Sequence, residues 1–206
     1  MDWTSIYIKT NDLNVFILGA GEVAIRRANK FLDHGANVRL VGNRLVDSLK
    51  ERGVKLYSPD CVDNLVEWAD LVVVASGNKK LSKYVSSIAK DKLINRADFP
   101  NNGNVIVPNS FKIGDVEISI FTGGKSPLMA RQLRKKIQSI ITDEDILEIE
   151  LQDYARVKLK DKVKNQKVRR KYLYEIFRDE KINEYIENRK IDDAKDYIDD
   201  LIRGLN

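Results

Sequence analysis

The sequence predicts an α/β protein built on a Rossmann-type, doubly wound parallel sheet, and three observations support this prediction. Short runs of β-branched residues alternate with longer amphipathic segments between Asn14 and Asp98. The apolar runs are unbroken, which is typical of parallel strands that are covered on both faces. A glycine-rich turn joins the first run to the first amphipathic segment. A strand-and-helix region and a small C-terminal helical domain complete the predicted fold.

The elements of the predicted sheet follow in chain order. Five strands are predicted at VFIL (15–18), VRLV (38–41), VKLY (54–57), LVVV (71–74) and KLIN (92–95), with a short edge strand ahead of them at 6–9. Helices are predicted over 22–34, 45–52 and 79–90. The first of these has apolar residues at helical spacing and closes at Gly35, a typical C-terminal stop.

The pattern changes after residue 104. Strands are predicted at NVIVP (104–108) and DVEISIF (115–121) without a long helix between them. An apolar-periodic helix is predicted over 128–141, and amphipathic helices fill the chain from 146 to the end. We therefore predict three parts, namely a Rossmann domain over 1–112, a strand-and-helix region over 113–145 and a helical domain over 146–206.

Composition limits the kinds of site that this chain can build. Its 206 residues carry a net charge of +5, and residues 1–140 alone carry +7, which suits an anionic ligand. Cys61 and His34 are the single cysteine and histidine, so an internal disulfide is impossible and a zinc site is nearly excluded. No secretion signal and no apolar run of about 20 residues occur, so we expect a cytoplasmic protein without a membrane partner.

The stretch VFILGAGEVA (15–24) has the spacing G-x-G-x-x-A directly after a predicted strand and before a predicted helix. Gly19 permits the tight turn, Gly21 lets a pyrophosphate approach the backbone, and Ala24 allows the helix to pack on the strand. The first residues of the helix, Glu22 and Val23, offer free N–H groups at its positive end. The stretch predicts dinucleotide binding, the alternative being a structural turn.

The second strand lacks the acidic residue that often lies about 20 positions beyond the glycine turn. The chain there reads Val41-Gly42-Asn43-Arg44. Asn43 could hydrogen-bond the ribose hydroxyl of NAD, whereas Arg44 could pair with the additional phosphate of NADP. The alternative is that both are solvated loop residues, so the choice between NAD and NADP stays open.

The loop after the fifth predicted strand carries a carboxylate that is suited to catalysis. Asp98 follows the fifth predicted strand, and ligands of such sheets lie beyond the carboxyl ends of the strands. A carboxylate there can act as a general base or orient a substrate N–H, although an aspartate is also a common turn former.

The loop TGGKSP (122–127) predicts a helix start with Ser126 at the N-cap and Pro127 at the first helical position. Its two glycines allow close backbone approach, and Lys125 and Arg131 add positive charge. We predict a second anion site here, suited to substrate carboxylates, with an ordinary capped helix as the alternative.

Four segments, VFILGAGEVAIRR, LVVVAS, INRADFP and ISIFTGGKSPLMAR, together resemble the siroheme synthase family in its precorrin-2 dehydrogenase branch. The resemblance runs from about Tyr7 to Leu133. It implies a Rossmann domain, a dimerisation region over 113–145 and a helical domain, with homodimer contacts from 115–121 and the helix that follows. It also implies removal of hydride from precorrin-2 to give sirohydrochlorin with NAD as the acceptor. Some members of the family also insert ferrous iron into sirohydrochlorin.

The resemblance assigns roles to individual residues. The family's glycine turn falls on Gly19, Gly21 and Ala24, and its Asn-x-x-Asp on Asn95 and Asp98, the aspartate being the catalytic residue. Together with the residues reasoned from the sequence alone, the predicted cofactor-binding residues are Gly19, Gly21, Glu22, Val23, Ala24, Asn43, Arg44 and Ser76. The implied substrate-binding residues are Asn95, Thr122, Gly123, Gly124, Lys125, Ser126 and Arg131. Two departures from the family pattern are Phe121, where a small hydroxyl residue is common, and Ser76-Gly77-Asn78 after the fourth strand.

The leading hypothesis is thus an NAD-dependent dehydrogenase of precorrin-2, with iron chelation as a second possible activity. No resident metal is expected, because a tetrapyrrole supplies its own nitrogens. The alternative is a non-catalytic NAD-sensing module whose helical tail binds a partner or nucleic acid. That tail has nine basic residues and one acid between Arg156 and Lys171. We interpret the run first as a solvated face and consider nucleic acid an unexpected partner.

Overall fold

The computed structural model describes residues 3–205, and the chain divides into two compact units at Val107 and Pro108. Each unit has its own buried core. The boundaries predicted near residues 113 and 145 stay predictions. No helix formed by residues 3–205 combines the length and apolar composition that crossing a membrane requires.

The first unit is a parallel five-stranded sheet with helices on both faces. Its elements are β1 (Asn14–Leu18), α1 (Glu22–Leu32), β2 (Asn37–Val41), α2 (Asp47–Glu51), β3 (Lys55–Tyr57), α3 (Val62–Trp68), β4 (Leu71–Val74), α4 (Lys79–Ile88) and β5 (Leu93–Arg96). The strand order is β3-β2-β1-β4-β5, so the order reverses between β1 and β4. The predicted Rossmann-type α/β fold is confirmed.

Two separate apolar clusters cover the sheet, which explains the unbroken apolar strands. Val15 and Ile17 of β1 pack with Ala24 and Ala28 of α1 on one face. Phe16 and Leu18, which alternate with them, pack on the other face against side chains of α3 and α4. Since successive side chains of a strand point to opposite faces, a central strand needs apolar residues at every position.

Two strand predictions are wrong, and one helix of this unit was not predicted. Residues 6–9 are exposed and form no strand, because β-branched and aromatic residues without a neighbouring strand have no ladder to join. The segment 104–108 is also not a strand, although Val105 and Val107 pack against the first core cluster. Helix α3 was not predicted, yet Ser58 and Pro59 mark the short 3-10 turn that leads into it.

The second unit begins with an antiparallel hairpin and continues with five helices within the described residues. The strands are β6 (Asn109–Ile113) and β7 (Val116–Ile120), and the helices are α5 (Pro127–Gln138), α6 (Asp143–Lys162), α7 (Gln166–Phe177), α8 (Glu180–Glu187) and α9 (Ile191–Arg203). Leu151, Ala155 and Leu159 of α6 lie at the centre of a core shared with α7, α8 and α9. A capping box begins α6, in which the Thr142 hydroxyl accepts from the Asp145 N–H and the Asp145 carboxylate accepts from the Thr142 N–H.

Candidate functional site

Gly19 is fixed between the ends of three neighbouring strands. Its φ is +128°, a region that side chains rarely adopt, and a Cβ at this position would lie 2.2 Å from the carbonyl oxygen of Ala75. The Gly19 N–H donates to the carbonyl of Val41 at 2.8 Å. Only glycine fits a backbone that turns this tightly against the end of β4.

Gly21 faces open space at the start of α1. Its backbone is extended (φ −81°, ψ −179°), it occupies the N-cap position, and no side chain caps the helix. No heavy atom of residues 3–205 lies within 4 Å of the place that a Cβ on Gly21 would take. The uncapped N–H groups of Glu22 and Val23 and the open space in front of Gly21 fit the pyrophosphate of a dinucleotide.

The loop after β4 lies at the same edge of the sheet as the glycine turn. The Ser76 hydroxyl accepts a hydrogen bond from the Asn78 N–H at 3.1 Å, and Asn78 caps α4 by accepting from the Leu81 N–H at 3.1 Å. A Cβ on Gly77 would meet nothing within 4 Å. The two loops therefore flank the point where the strand order reverses, which is where dinucleotides bind in such sheets.

Asn43 and Arg44 are exposed in the turn that follows β2. Gly42, which precedes them, was not singled out from the sequence. A Cβ on Gly42 would lie 2.5 Å from the Cβ of Ala20, so the end of β2 approaches the glycine turn closely. Asn43 and Arg44 thus follow a residue that packs directly on the candidate dinucleotide site.

Asp98 forms a bidentate ion pair with Arg96, the last residue of β5. Arg96 Nε donates to Asp98 Oδ1 and Arg96 Nη2 donates to Asp98 Oδ2, both at 2.8 Å. Arg96 is only 7% exposed, and the Asp98 side chain is 22% exposed. Arg96 was not among the residues predicted from the sequence, although an arginine two residues before an aspartate at a strand end is a signal for such a pair.

The environment of Asp98 favours its ionised form. Burial raises the pKa of the Asp98 carboxyl, but the hydrogen bonds and charge of Arg96, together with backbone N–H groups, lower it further. The net result is a pKa below the usual aspartate value. The Arg96 pKa is raised, chiefly by its hydrogen bonds to Asp98. Asp98 is therefore a carboxylate at neutral pH, able to accept a hydrogen bond or a proton.

Asn95 lies within β5 and not in the loop that follows it. It is 3% exposed, and its Nδ2 donates to the carbonyl of Val105 at 2.9 Å. Its Oδ1 is buried and has no hydrogen-bond partner among the described residues. A buried acceptor of this kind is uncommon, which makes Asn95 Oδ1 a candidate contact for a ligand N–H.

Arg27 on α1 carries a second buried polar atom of this kind. Its Nε is buried and has no hydrogen-bond partner among the described residues. Burial, followed by the charge of Arg26, lowers the pKa of Arg27 to about 10. Arg27 is therefore still a cation at neutral pH, on the helix that follows the glycine turn.

The loop 122–127 belongs to the second unit and is closed by its own hydroxyl groups. Thr122 Oγ1 donates to the Ser126 carbonyl at 3.2 Å, and Gly123 and Gly124 have φ values of +67° and +75°. Ser126 accepts from the Met129 N–H at 3.1 Å and Pro127 is the first residue of α5, which confirms the predicted helix start. Lys125 is exposed and forms no ion pair within the described part of the chain. Arg131 is likewise exposed.

The fold and the glycine turn define a Rossmann-type dinucleotide-binding protein. Residues 6–109 match the NAD_binding_7 family model, described as "Putative NAD(P)-binding". The chain is 32% identical to a precorrin-2 dehydrogenase of Methanosarcina barkeri over 181 residues, which cover 82% of this chain and 80% of that protein. The chain belongs to the family of precorrin-2 dehydrogenases and siroheme synthases.

Two other proteins show how far the similarity extends. A siroheme synthase of Tolumonas auensis is 24% identical over 99% of this chain, which spans 44% of that longer protein. The solved structure of SirC, a precorrin-2 dehydrogenase, matches with a TM-score of 0.78 at 21% identity, covering 96% of this chain and 100% of that one. At this identity the structural match supports the fold alone.

Proposed function

We propose that this protein dehydrogenates precorrin-2 to sirohydrochlorin with NAD as the acceptor. The observation that carries the proposal is an ionised carboxylate, Asp98, which follows β5 at the sheet edge where the glycine turn fits a pyrophosphate. In the reaction precorrin-2 loses a hydride from a ring carbon and a proton, so two electrons and two hydrogens leave together. NAD, when bound, supplies the nicotinamide that accepts the hydride.

In this proposal, some residues of the first unit bind the cofactor and others contact the substrate. Gly19 and Gly21 and the N–H groups at the start of α1 hold the pyrophosphate, and Asn43, Arg44 and Ser76 contribute to the rest of the cofactor site. Asp98 accepts or guides the proton that the substrate releases. Asn95 Oδ1 offers an acceptor for a ligand N–H.

The residues of the second unit are proposed to bind carboxylates of the tetrapyrrole. Lys125 and Arg131 supply positive charge, and the glycines of the loop expose backbone N–H groups. A non-catalytic NAD-sensing module is not favoured, because relatives over most of the chain are named as dehydrogenases and synthases. The basic segment 156–171 is partly structural, since Lys162 donates to carbonyls at the end of α9 and Lys158 pairs with Asp199.

The substitution Gly21→Val tests the cofactor site without disturbing the fold. We expect the variant to lose no more than about 1 kcal/mol of stability, since a side chain at Gly21 enters open space and the backbone is extended, although valine is a poorer N-cap than glycine. We expect NAD affinity and NADH formation from precorrin-2 to fall by roughly 100-fold or more, because the side chain occupies the space of the pyrophosphate. Calorimetric titration with NAD and an anaerobic NADH assay measure the two effects.

Two results would count against the proposed function. One is wild-type protein that binds NAD but forms no NADH from precorrin-2, and the other is a Gly21→Val variant with wild-type NAD affinity. The same protein, supplied with sirohydrochlorin and ferrous iron, shows by siroheme absorbance whether it also chelates iron.

We also propose a homodimer formed through α5 and the β6–β7 hairpin. Leu128, Met129 and Leu133 of α5 are exposed, with Leu128 64% exposed, and Phe121 after β7 is exposed as well. Both edges of the two-stranded sheet lack a third strand within the described residues. Exposed apolar side chains beside open strand edges are typical of a surface that is covered by another chain.

The double substitution Met129→Glu and Leu133→Glu is expected to convert the dimer to monomers. Two charges on adjacent turns of α5 would be buried without partners in the interface. Gln138→Glu, an exposed position on another side of α5, adds a charge and is expected to stay dimeric. Light scattering after size-exclusion chromatography measures the mass. A wild-type monomer, or a dimer that survives both glutamates, would contradict this assignment.

A further inference from the structure

A continuous set of hydrogen bonds connects α4 to the Asp98 carboxylate. Ser86 Oγ donates to the carbonyl of Ser82 at 2.7 Å, and Arg96 Nη1 donates to Ser86 Oγ at 2.8 Å. Arg96 then holds Asp98 through Nε and Nη2. Each nitrogen of the buried guanidinium therefore has a partner, which fixes the plane of the group between α4 and Asp98.

The two oxygens of Asp98 are left in different situations. Oδ1 accepts from Arg96 Nε and also from the Phe99 N–H at 3.0 Å. Among the hydrogen bonds of the described residues, Oδ2 takes part in one, as the acceptor from Arg96 Nη2. Since a carboxylate oxygen can accept two hydrogen bonds, Oδ2 has the free acceptor position.

We propose that Arg96 and Ser86 are positioning residues. They orient Asp98 so that Oδ2 is the oxygen that accepts a hydrogen bond from the substrate N–H or accepts the proton that the substrate releases. This inference rests on the proposed dehydrogenase function. Arg96 touches neither substrate nor cofactor in this scheme, and it acts only through the carboxylate that it holds. A bidentate guanidinium suits this role because a rigid fork sets both the distance and the plane of its partner.

Arg96 is also the charge that controls the ionisation of Asp98. On the side of α4, Ser86 contacts Arg96 and is uncharged, whereas Lys79, Lys80 and Lys83 are exposed and form no ion pair with Asp98. The Phe99 ring, whose centroid is 5.8 Å from Arg96 Cζ, is uncharged too. Removing the Arg96 charge leaves burial to raise the Asp98 pKa. The acid limb of the activity profile must then move to higher pH, because the carboxylate is protonated earlier as pH falls.

The test compares Arg96→Gln, Arg96→Lys and Ser86→Ala with the control Ser87→Ala. Ser87 is the exposed neighbour of Ser86 and its hydroxyl donates to the carbonyl of Tyr84. For each folded variant, kcat and the KM values for precorrin-2 and for NAD are measured across pH, and the Asp98 carboxyl is titrated by NMR. The titration is independent of turnover, and Ser86→Ala leaves the ion pair in place if Arg96→Gln fails to fold.

For Arg96→Gln we expect kcat to fall roughly 10- to 100-fold, with the KM for NAD unchanged and with both the acid limb of the activity profile and the Asp98 pKa raised. Arg96→Lys keeps the charge, so the limb returns toward its wild-type position while kcat stays reduced. Ser86→Ala shows a smaller fall in kcat, and Ser87→Ala matches the wild type. An active wild type with an unchanged kcat and pH profile in Arg96→Gln, or with an unchanged kcat in Ser86→Ala, overturns this inference alone. A wild type without turnover overturns the proposed function and the inference with it.

Discussion

Replacing Asp98 by asparagine is expected to lower kcat for precorrin-2 dehydrogenation by on the order of 100- to 10,000-fold. The asparagine has nearly the same size but cannot take the proton that leaves the substrate. NAD affinity should stay within about twofold of the wild type, because the pyrophosphate binds at the glycine turn and not at Asp98. Steady-state NADH formation and calorimetric titration with NAD measure the two quantities.

The same substitution also affects stability, and this effect must be separated from catalysis. Arg96 is almost fully buried and loses its charged partner, so the free energy of unfolding falls. Rates are therefore compared at a temperature where circular dichroism shows the variant to be folded. Asp91→Asn, an exposed aspartate in the segment between α4 and β5, is the matched control and should retain wild-type activity. A folded Asp98→Asn variant with the full rate would show that Asp98 is not the catalytic residue, even within the same family.

Replacing Gly19 by alanine is expected to destabilise the first unit by about 3 kcal/mol or more. The added Cβ would lie 2.2 Å from the Ala75 carbonyl oxygen, and the φ of +128° is unfavourable for any side chain. To relieve both the contact with the Ala75 carbonyl and the backbone strain, β1 and β4 would have to separate at the edge where the dinucleotide is proposed to bind. Urea unfolding of the free protein measures the change.

Gly21→Val provides the matched control for Gly19→Ala, because the two glycines belong to one turn. We expect Gly19→Ala to lose most of the stability, whereas Gly21→Val loses NAD binding and no more than about 1 kcal/mol of stability. Equal stability of Gly19→Ala and wild type would contradict the close packing of the turn against β4.

Features set by local sequence could be predicted, and those set by distant contacts could not. The turn at Gly19 and Gly21, helix α1 and the cap at Ser126 depend on residues that are near one another in the chain, and the predictions for them hold. The segments 6–9 and 104–108 have the β-branched and aromatic residues typical of strands, but a strand also needs a neighbour to pair with. Neither segment belongs to a sheet of the described residues, although the N–H groups of Asn104 and Val105 donate to the carbonyl of Ile94 in β5.

The residues of the candidate site also divide into those that local sequence predicts and those that depend on distant contacts. Asp98 was predicted because the end of a parallel strand is a place where ligands bind. Arg96 was missed because the strand was expected to end at residue 95, and because its importance depends on Ser86, ten residues earlier on another element. The environment of Asn95 likewise depends on Val105, ten residues later in the chain, whose carbonyl accepts a hydrogen bond from Asn95 Nδ2.

The most direct test of the proposed function is an anaerobic reaction of the wild-type protein with precorrin-2 and NAD, in which NADH and sirohydrochlorin are quantified in the same sample. We expect equal amounts of the two products, with no sirohydrochlorin above background when NAD is omitted. Sirohydrochlorin that forms at the same rate without NAD, or folded and NAD-bound protein that forms neither product, would contradict the assignment.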